Sequence, residues 1–126
     1  MASSLRRNQH KFLYTAPLHR RQAFVSAHLS KDLAEKVGKR SIRLHKGDKV
    51  KVARGESKGT VAKVEEVDLK YSRVYLENLT TNKVNGVKAR IPLHPSNLIV
   101  LELGSEDKRR KAALGRVGGR KKEAEA

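Results

Sequence analysis

A mainly β fold, a small antiparallel barrel with basic extensions on both sides, is predicted by three observations. Apolar residues recur with a period of two through residues 46–103. Turn signals separate these runs, and no long helical pattern interrupts them. Positive charge is concentrated outside this zone. Residues 1–46 carry eleven Lys/Arg against two acids, residues 47–103 ten against seven, and residues 104–126 eight against four. The chain therefore reads as a basic N-terminal extension with short helices (1–45), a barrel (46–103) and a basic C-terminal helix with a flexible tail (104–126).

The first strand lies within residues 49–54, where Val50 and Val52 alternate with Lys49, Lys51 and Arg54. Residues 60–67 continue with Val61, Val64 and Val67. Their parity slips between Val61 and Val64, which a β-bulge explains. DLKYS (68–72) is a turn, and RVYLENL (73–79) a third strand. Asn85-Gly86 is a strong hairpin signal. Residues 87–93 form a short strand, with Pro92 marking an edge or an end. HPSN (94–97) breaks the chain again. LIVLEL (98–103) is apolar enough to lie buried on both faces or to close a barrel.

Helical signals flank the strands. SKDLAEKVG has a capping Ser30, an early Asp32, Leu33 and Val37 at i,i+4, and a terminating Gly38, predicting a helix over 30–38. A second is expected over 17–26, with Pro17 in its first turn. Neither has enough apolar surface to fold alone, so both are expected to pack on the barrel or on a partner. SEDKRRKAALG predicts a short helix from Ser105. The last residues, GRVGGRKKEAEA, have little to bury and are expected to be mobile without a partner.

Composition narrows the function. Hydrophobic residues make up 37% and aromatics 4%, so the core must be small and aliphatic. A formal charge of +16 repels itself in a compact state, and a polyanion relieves that repulsion. Nucleic acid is the commonest such partner. A membrane-surface protein or a merely very soluble one are the alternatives. No cysteine is present, which excludes disulfides and thiolate metal sites. No apolar run approaches the ~18 residues of a spanning helix. The histidines (His10, His19, His28, His45 and His94) include no i,i+3 or i,i+4 pair, so no metal or other cofactor is expected. Glu65 and Glu66 fall on opposite faces of a regular strand and so make no acid–base pair. They are expected to answer nearby lysines. No catalytic set is assembled, and the chain is expected not to be an enzyme and to have no small-molecule substrate.

GESKG (55–59) is too short for a phosphate-binding P-loop and is no dinucleotide fingerprint. Its glycines permit positive φ, and such a loop can lay N–H groups and Lys58 against a sugar–phosphate chain. The alternative is an ordinary hairpin turn with solvated lysines.

KGDKVKVARGESKGTVAKVEEVD resembles the KOW motif, a basic strand–loop–strand that forms part of an SH3-like barrel. The flanking stretches KFLYTAPLHRRQ, LSKDLAEKVGKRSIRLHKGD, IPLHPSNLIVLEL and EDKRRK are similar to one family. It is the large-subunit ribosomal family numbered twenty-four in bacteria and twenty-six in eukaryotes, in its archaeal form. The resemblance runs from Asn8 to Lys111. The family usually carries glycine where this chain has Ala62 and proline where it has His28. The start is Arg-rich and lacks an acid before Asp32, as an organelle transit peptide does, but PLHRRQ and LSKDL resemble the mature family.

The resemblance implies a structural protein of the large ribosomal subunit, in the cytoplasm. It would bind the 5′ domain of the large rRNA early in assembly and lie near the polypeptide exit tunnel. Its partners would be that rRNA and neighbouring ribosomal proteins, without self-association. The alternative is a KOW module of the transcription-elongation or nascent-RNA-binding type. Arginine binds phosphate through two N–H groups and stacks on bases, whereas lysine acts mainly as a point charge. The expected RNA contacts in the extension are Arg6, Arg7, Lys11, Tyr14, His19, Arg20, Arg21, Lys39, Arg40 and Arg43. In the barrel they are Lys46, Lys49, Lys51, Arg54, Lys58 and His94, and beyond it Lys108, Arg109, Arg110 and Lys111. Phe12 either stacks on a base or anchors the extension to the barrel.

Overall fold

The computed structural model describes residues 3–104 and 107–116. Alternating valines build the centre. Strand β3 (Lys49–Val52) turns Val50 and Val52 inward, both fully buried. It pairs antiparallel with β4 (Val61–Asp68) on one side and β8 (Leu98–Glu102) on the other. Strand β4 continues antiparallel into β5 (Arg73–Leu76). Strands β6 (Thr80–Asn82) and β7 (Lys88–Arg90) form a separate two-stranded hairpin around the Asn85-Gly86 turn, with Gly86 at φ +83°. Leu93 then returns to pair with Val74. The result is the small SH3-like barrel that the motif implies.

No strand was expected before residue 46, yet two belong to the main sheet. β1 (Ser26–Leu29) runs parallel to β8 and antiparallel to β2 (Ser41–Arg43). The sheet order is therefore β2-β1-β8-β3-β4-β5, with β8 flanked on both sides. Val25, Ala27, Leu29 and Leu44 join the buried core with Val50, Val52, Val64, Val74, Leu76, Leu98 and Val100. The core is wholly aliphatic. The N-terminal segment thus completes the barrel rather than decorating it. Its strands were missed because three or four residues hold too few alternations to reveal a period.

The expected helix over 17–26 is likewise short. It spans α2 (Leu18–Arg21) and one 3-10 turn (Gln22–Phe24) before the chain extends into β1. The helix at Ser30 forms as α3 (Lys31–Val37). Its Ser30 Oγ accepts the Leu33 N–H, and Gly38 closes it at φ +75°. Leu33, Ala34 and Val37 pack against the core. A further helix, α1 (Arg6–Thr15), buries none of its residues. Its Phe12 packs edge-to-face on Phe24 of the following 3-10 turn, 5.8 Å between centroids, a contact within the extension. Helix α4 (Lys108–Gly115) is capped by Asp107. Ser105 and the tail after Arg116 lie outside the described residues.

The slip in β4 sits elsewhere than the valine pattern indicated. Ala62 and Val64 face inward, Val61 is 45% exposed, and the register shifts between Val64 and Glu66. Glu65 is the extra residue. The bulge brings both glutamates to the same side, and Arg90 of β7 meets Glu66 at 2.6 Å and Glu65 at 3.8 Å. They answer an arginine rather than lysines. The hydrogen bond to Glu66 raises the Arg90 pKa above its ordinary value, and Arg90 also lies 4.7 Å over the Tyr75 ring.

Candidate nucleic-acid interface

The cationic surface begins with β3 and β4. Because Val50 and Val52 point inward, Lys49 and Lys51 point out. The register sets Lys49 between Lys63 on β4 and Glu102 on β8. Glu102 meets Lys49 Nζ at 3.1 Å and answers that charge. Lys51 and Lys63 are exposed and have no acidic partner among the described residues. Like charges side by side on a sheet repel, and a polyanion laid across them removes the repulsion. Lys63 was absent from the expected contacts. Assigning Ala62 rather than Val61 to the core would have pointed it outward beside Lys49.

The 55–59 loop extends this face, with Gly55 at φ +103° and Gly59 at φ +88°. Three N–H groups turn inward: Lys58 to Gly55 O, Gly59 to Val52 O and Thr60 to Ser57 O. These amides are therefore already used, and the loop offers the side chains of Arg54 and Lys58, both exposed. Its base is tied across the barrel by the Ala53 N–H to Asn97 O at 2.8 Å. Asn97 ends the Pro95–Asn97 3-10 turn, which His94 caps by accepting the Ser96 N–H at Nδ1. This leaves His94 Nε2 as the ring N–H on an exposed side chain.

Several of the expected contacts are engaged within the protein, Arg110, Arg21, Lys39 and Lys49 among them. Arg110 is the clearest correction: it is 5% exposed and forms a two-pronged pair with fully buried Asp48. Its two terminal nitrogens each lie 2.6 Å from a carboxylate oxygen. The remaining capacity of Asp48 accepts the N–H groups of His45 and Gly104, each at 2.9 Å. Arg110 also donates to the Arg43 carbonyl, while its buried Nε has no hydrogen-bond partner among the described residues; a buried ion pair persists only when most of its capacity is used in this way. Arg21 donates from all three guanidinium nitrogens to the carbonyls of Ala16, Lys70 and Tyr14, fastening the extension to the β4–β5 turn. Lys39 donates to the Ala113 carbonyl and holds the far end of α4. Lys49 has the Glu102 partner described above.

The other expected contacts lie on the surface: Arg6, Arg7, Lys11 and Tyr14 on α1, His19 and Arg20 on α2, then Arg40, Arg43 and Lys46, and Lys108, Arg109 and Lys111 on α4. Arg7 and Lys11, four apart, share one side of α1.

Comparison with known proteins identifies the scaffold. Residues 3–117 match the family model for the eukaryotic L26 ribosomal proteins and their archaeal counterparts, which are numbered twenty-four. The chain belongs to this ribosomal family. It is 48% identical over 110 residues to the large ribosomal subunit protein uL24 of Methanosphaera stadtmanae, covering 87% of this chain and 94% of that one. It is 42% identical over 116 residues to the uL24 of Methanocella arvoryzae, covering 92% and 94%. The uL24 of Korarchaeum cryptofilum is 41% identical over 110 residues, covering 87% and 84%.

Against the family pattern, Ala62 is accommodated without distortion. It sits opposite Val50 in a regular ladder, and among non-glycine residues only Ser72 and Asn78 have positive φ within the described structure. His28 lies mid-strand in β1 between Ser41 and Ile99, with its side chain exposed.

Proposed function

We propose that this chain is a structural, non-enzymatic component of the large ribosomal subunit. It binds rRNA through the outward face of the barrel and the basic helices, acting early in assembly on the 5′ domain and lying near the exit tunnel. The observation that carries the reading is the exposed set Lys51 and Lys63, on strands whose opposite face is the core, with Arg54 and Lys58 in the loop that joins them, none of them with an acidic ion-pair partner among the described residues. A family match over residues 3–117 supports it over a transcription-elongation module. Cytoplasmic location follows from the ribosome itself, and no helix among the described residues is long and apolar enough to cross a membrane.

The mechanism is electrostatic. Each lysine or arginine that neutralises a phosphate releases a condensed counterion, and rigid strands hold the cations at fixed spacing, which selects an RNA fold that matches. The test is the affinity for a 5′-domain rRNA transcript across salt. The logarithm of affinity should fall by roughly 0.7–0.9 per contact for each log unit of salt. A slope worth fewer than about two contacts would count against the proposal. Removing residues 1–45 would take core residues with it, so the deletion that isolates charge ends before Ala16.

A further inference from the structure

Helix α4 forms one wall of a groove with the barrel. Among the bonds that hold it are those of Arg110 to Asp48 and to the Arg43 carbonyl, and that of Lys39 to the Ala113 carbonyl. Between α4, β2 and the bulged half of β4 they leave an open groove of about 1150 Å³. This exceeds the ~300–1000 Å³ of ordinary small-molecule pockets and is open, as a polymer requires. Its floor is apolar: Ile42, Val67, Leu69 and Leu114 are all partly exposed there. Its rim is cationic. Arg43, Lys46, Arg109 and Arg116 are exposed and have no ion-pair partner among the described residues. The acids beside them are engaged, Glu65 and Glu66 with Arg90 and Asp107 as the cap of α4.

We propose that this groove receives an unpaired stretch of RNA, its bases on the apolar floor and its phosphates on Arg43, Lys46 and Arg109. The inference rests on the RNA-binding reading above and adds a site distinct from the lysine face of β3 and β4. Charge decides the occupant, because an apolar floor ringed by unanswered cations suits a ligand that alternates flat apolar faces with anions. Duplex RNA buries its base faces in the stack, so only a single-stranded segment supplies them. No aromatic side chain lines the groove. The planar guanidinium of Arg116, the rim arginine not assigned to a phosphate, supplies a stacking face of the kind that aromatic rings provide elsewhere.

The chain has no cysteine, so Leu114→Cys and, separately, Lys58→Cys each accept one benzophenone label. Each labelled full-length chain is photolysed on a 5′-domain rRNA transcript and in purified large subunits. The Leu114 label should crosslink to nucleotides unpaired in the RNA fold, at positions different from those reached by the Lys58 label. Combining Arg43→Ala with Arg109→Ala should abolish the Leu114 crosslink and leave that of Lys58. It should also lower the salt slope by about 1.4, two single-strand contacts at ~0.7 each. Both side chains are exposed, so the melting temperature should not change. A Leu114 label that reaches only paired nucleotides, or no RNA while the Lys58 label does, overturns the groove. A crosslink to a neighbouring protein in subunits overturns it in favour of a peptide occupant. Failure of both labels to reach RNA sinks the RNA-binding reading itself.

Discussion

Adjacent arginines in this chain have opposite roles, and the difference lies in their donors. Arg21 is fully engaged by three carbonyls, whereas the Arg20 side chain is exposed. Arg21→Ala should lower stability in urea unfolding by about 1–3 kcal/mol, since charged hydrogen bonds are lost. Arg20→Ala should leave stability unchanged and reduce the salt slope of RNA binding by roughly 0.7–0.9. Asp48 and Arg110 follow the rule for buried pairs. Arg110→Ala strands a buried carboxylate and should lower stability by about 3–5 kcal/mol, and replacing Asp48 as well by an apolar residue should not restore the wild-type value, because the His45 and Gly104 N–H groups then lose their acceptor. Gly104 is constrained by space alone. A Cβ there would lie 1.9 Å from the Gly47 carbonyl oxygen, a backbone atom that cannot rotate away. Gly104→Ala should therefore destabilise by about 1–3 kcal/mol or more. Charge runs in a sequence show none of this, because Arg110 stands among three other cations in KRRK and only its partner 62 residues away distinguishes it.

The strands β3, β5 and β8, the Asn85-Gly86 hairpin and helix α3 were legible because each carries a local signal: alternation, a continuous apolar run, a turn pair, or a cap at both ends. Strands β1 and β2 were not, since their partners lie far along the chain and pairing, rather than local preference, makes them strands. The β4 bulge was detected but misplaced, as Val61 outranks Ala62 in hydrophobicity and drew the core assignment. That placement has a test. With ordinary φ at position 62, Ala62→Gly restores the family residue yet should destabilise by about 0.5–1 kcal/mol, measured by denaturant unfolding. A stabilised variant would mean that the backbone there is strained.

Across the whole molecule, charge and packing pull in opposite directions. The excess of +16 is carried on a barrel whose buried core is small and aliphatic, and on helices such as α1 that bury nothing. Salt should therefore act with opposite signs on two measurements. The melting temperature of the free protein should rise with ionic strength as self-repulsion is screened, while RNA affinity falls as counterion release weakens. Deleting residues 1–15 should flatten the RNA salt slope with little loss of stability, because α1 contributes no buried residue.

By itself the sequence determined the barrel class, the aliphatic core and the polyanionic character of the partner, because period, composition and net charge are properties of the chain order alone. Only the tertiary structure decided which cations face outward and which are engaged within, and that the segment before residue 46 is part of the sheet. Those outcomes depend on contacts between residues tens of positions apart, where a carboxylate or a carbonyl across the fold turns a candidate for RNA into a part of the scaffold.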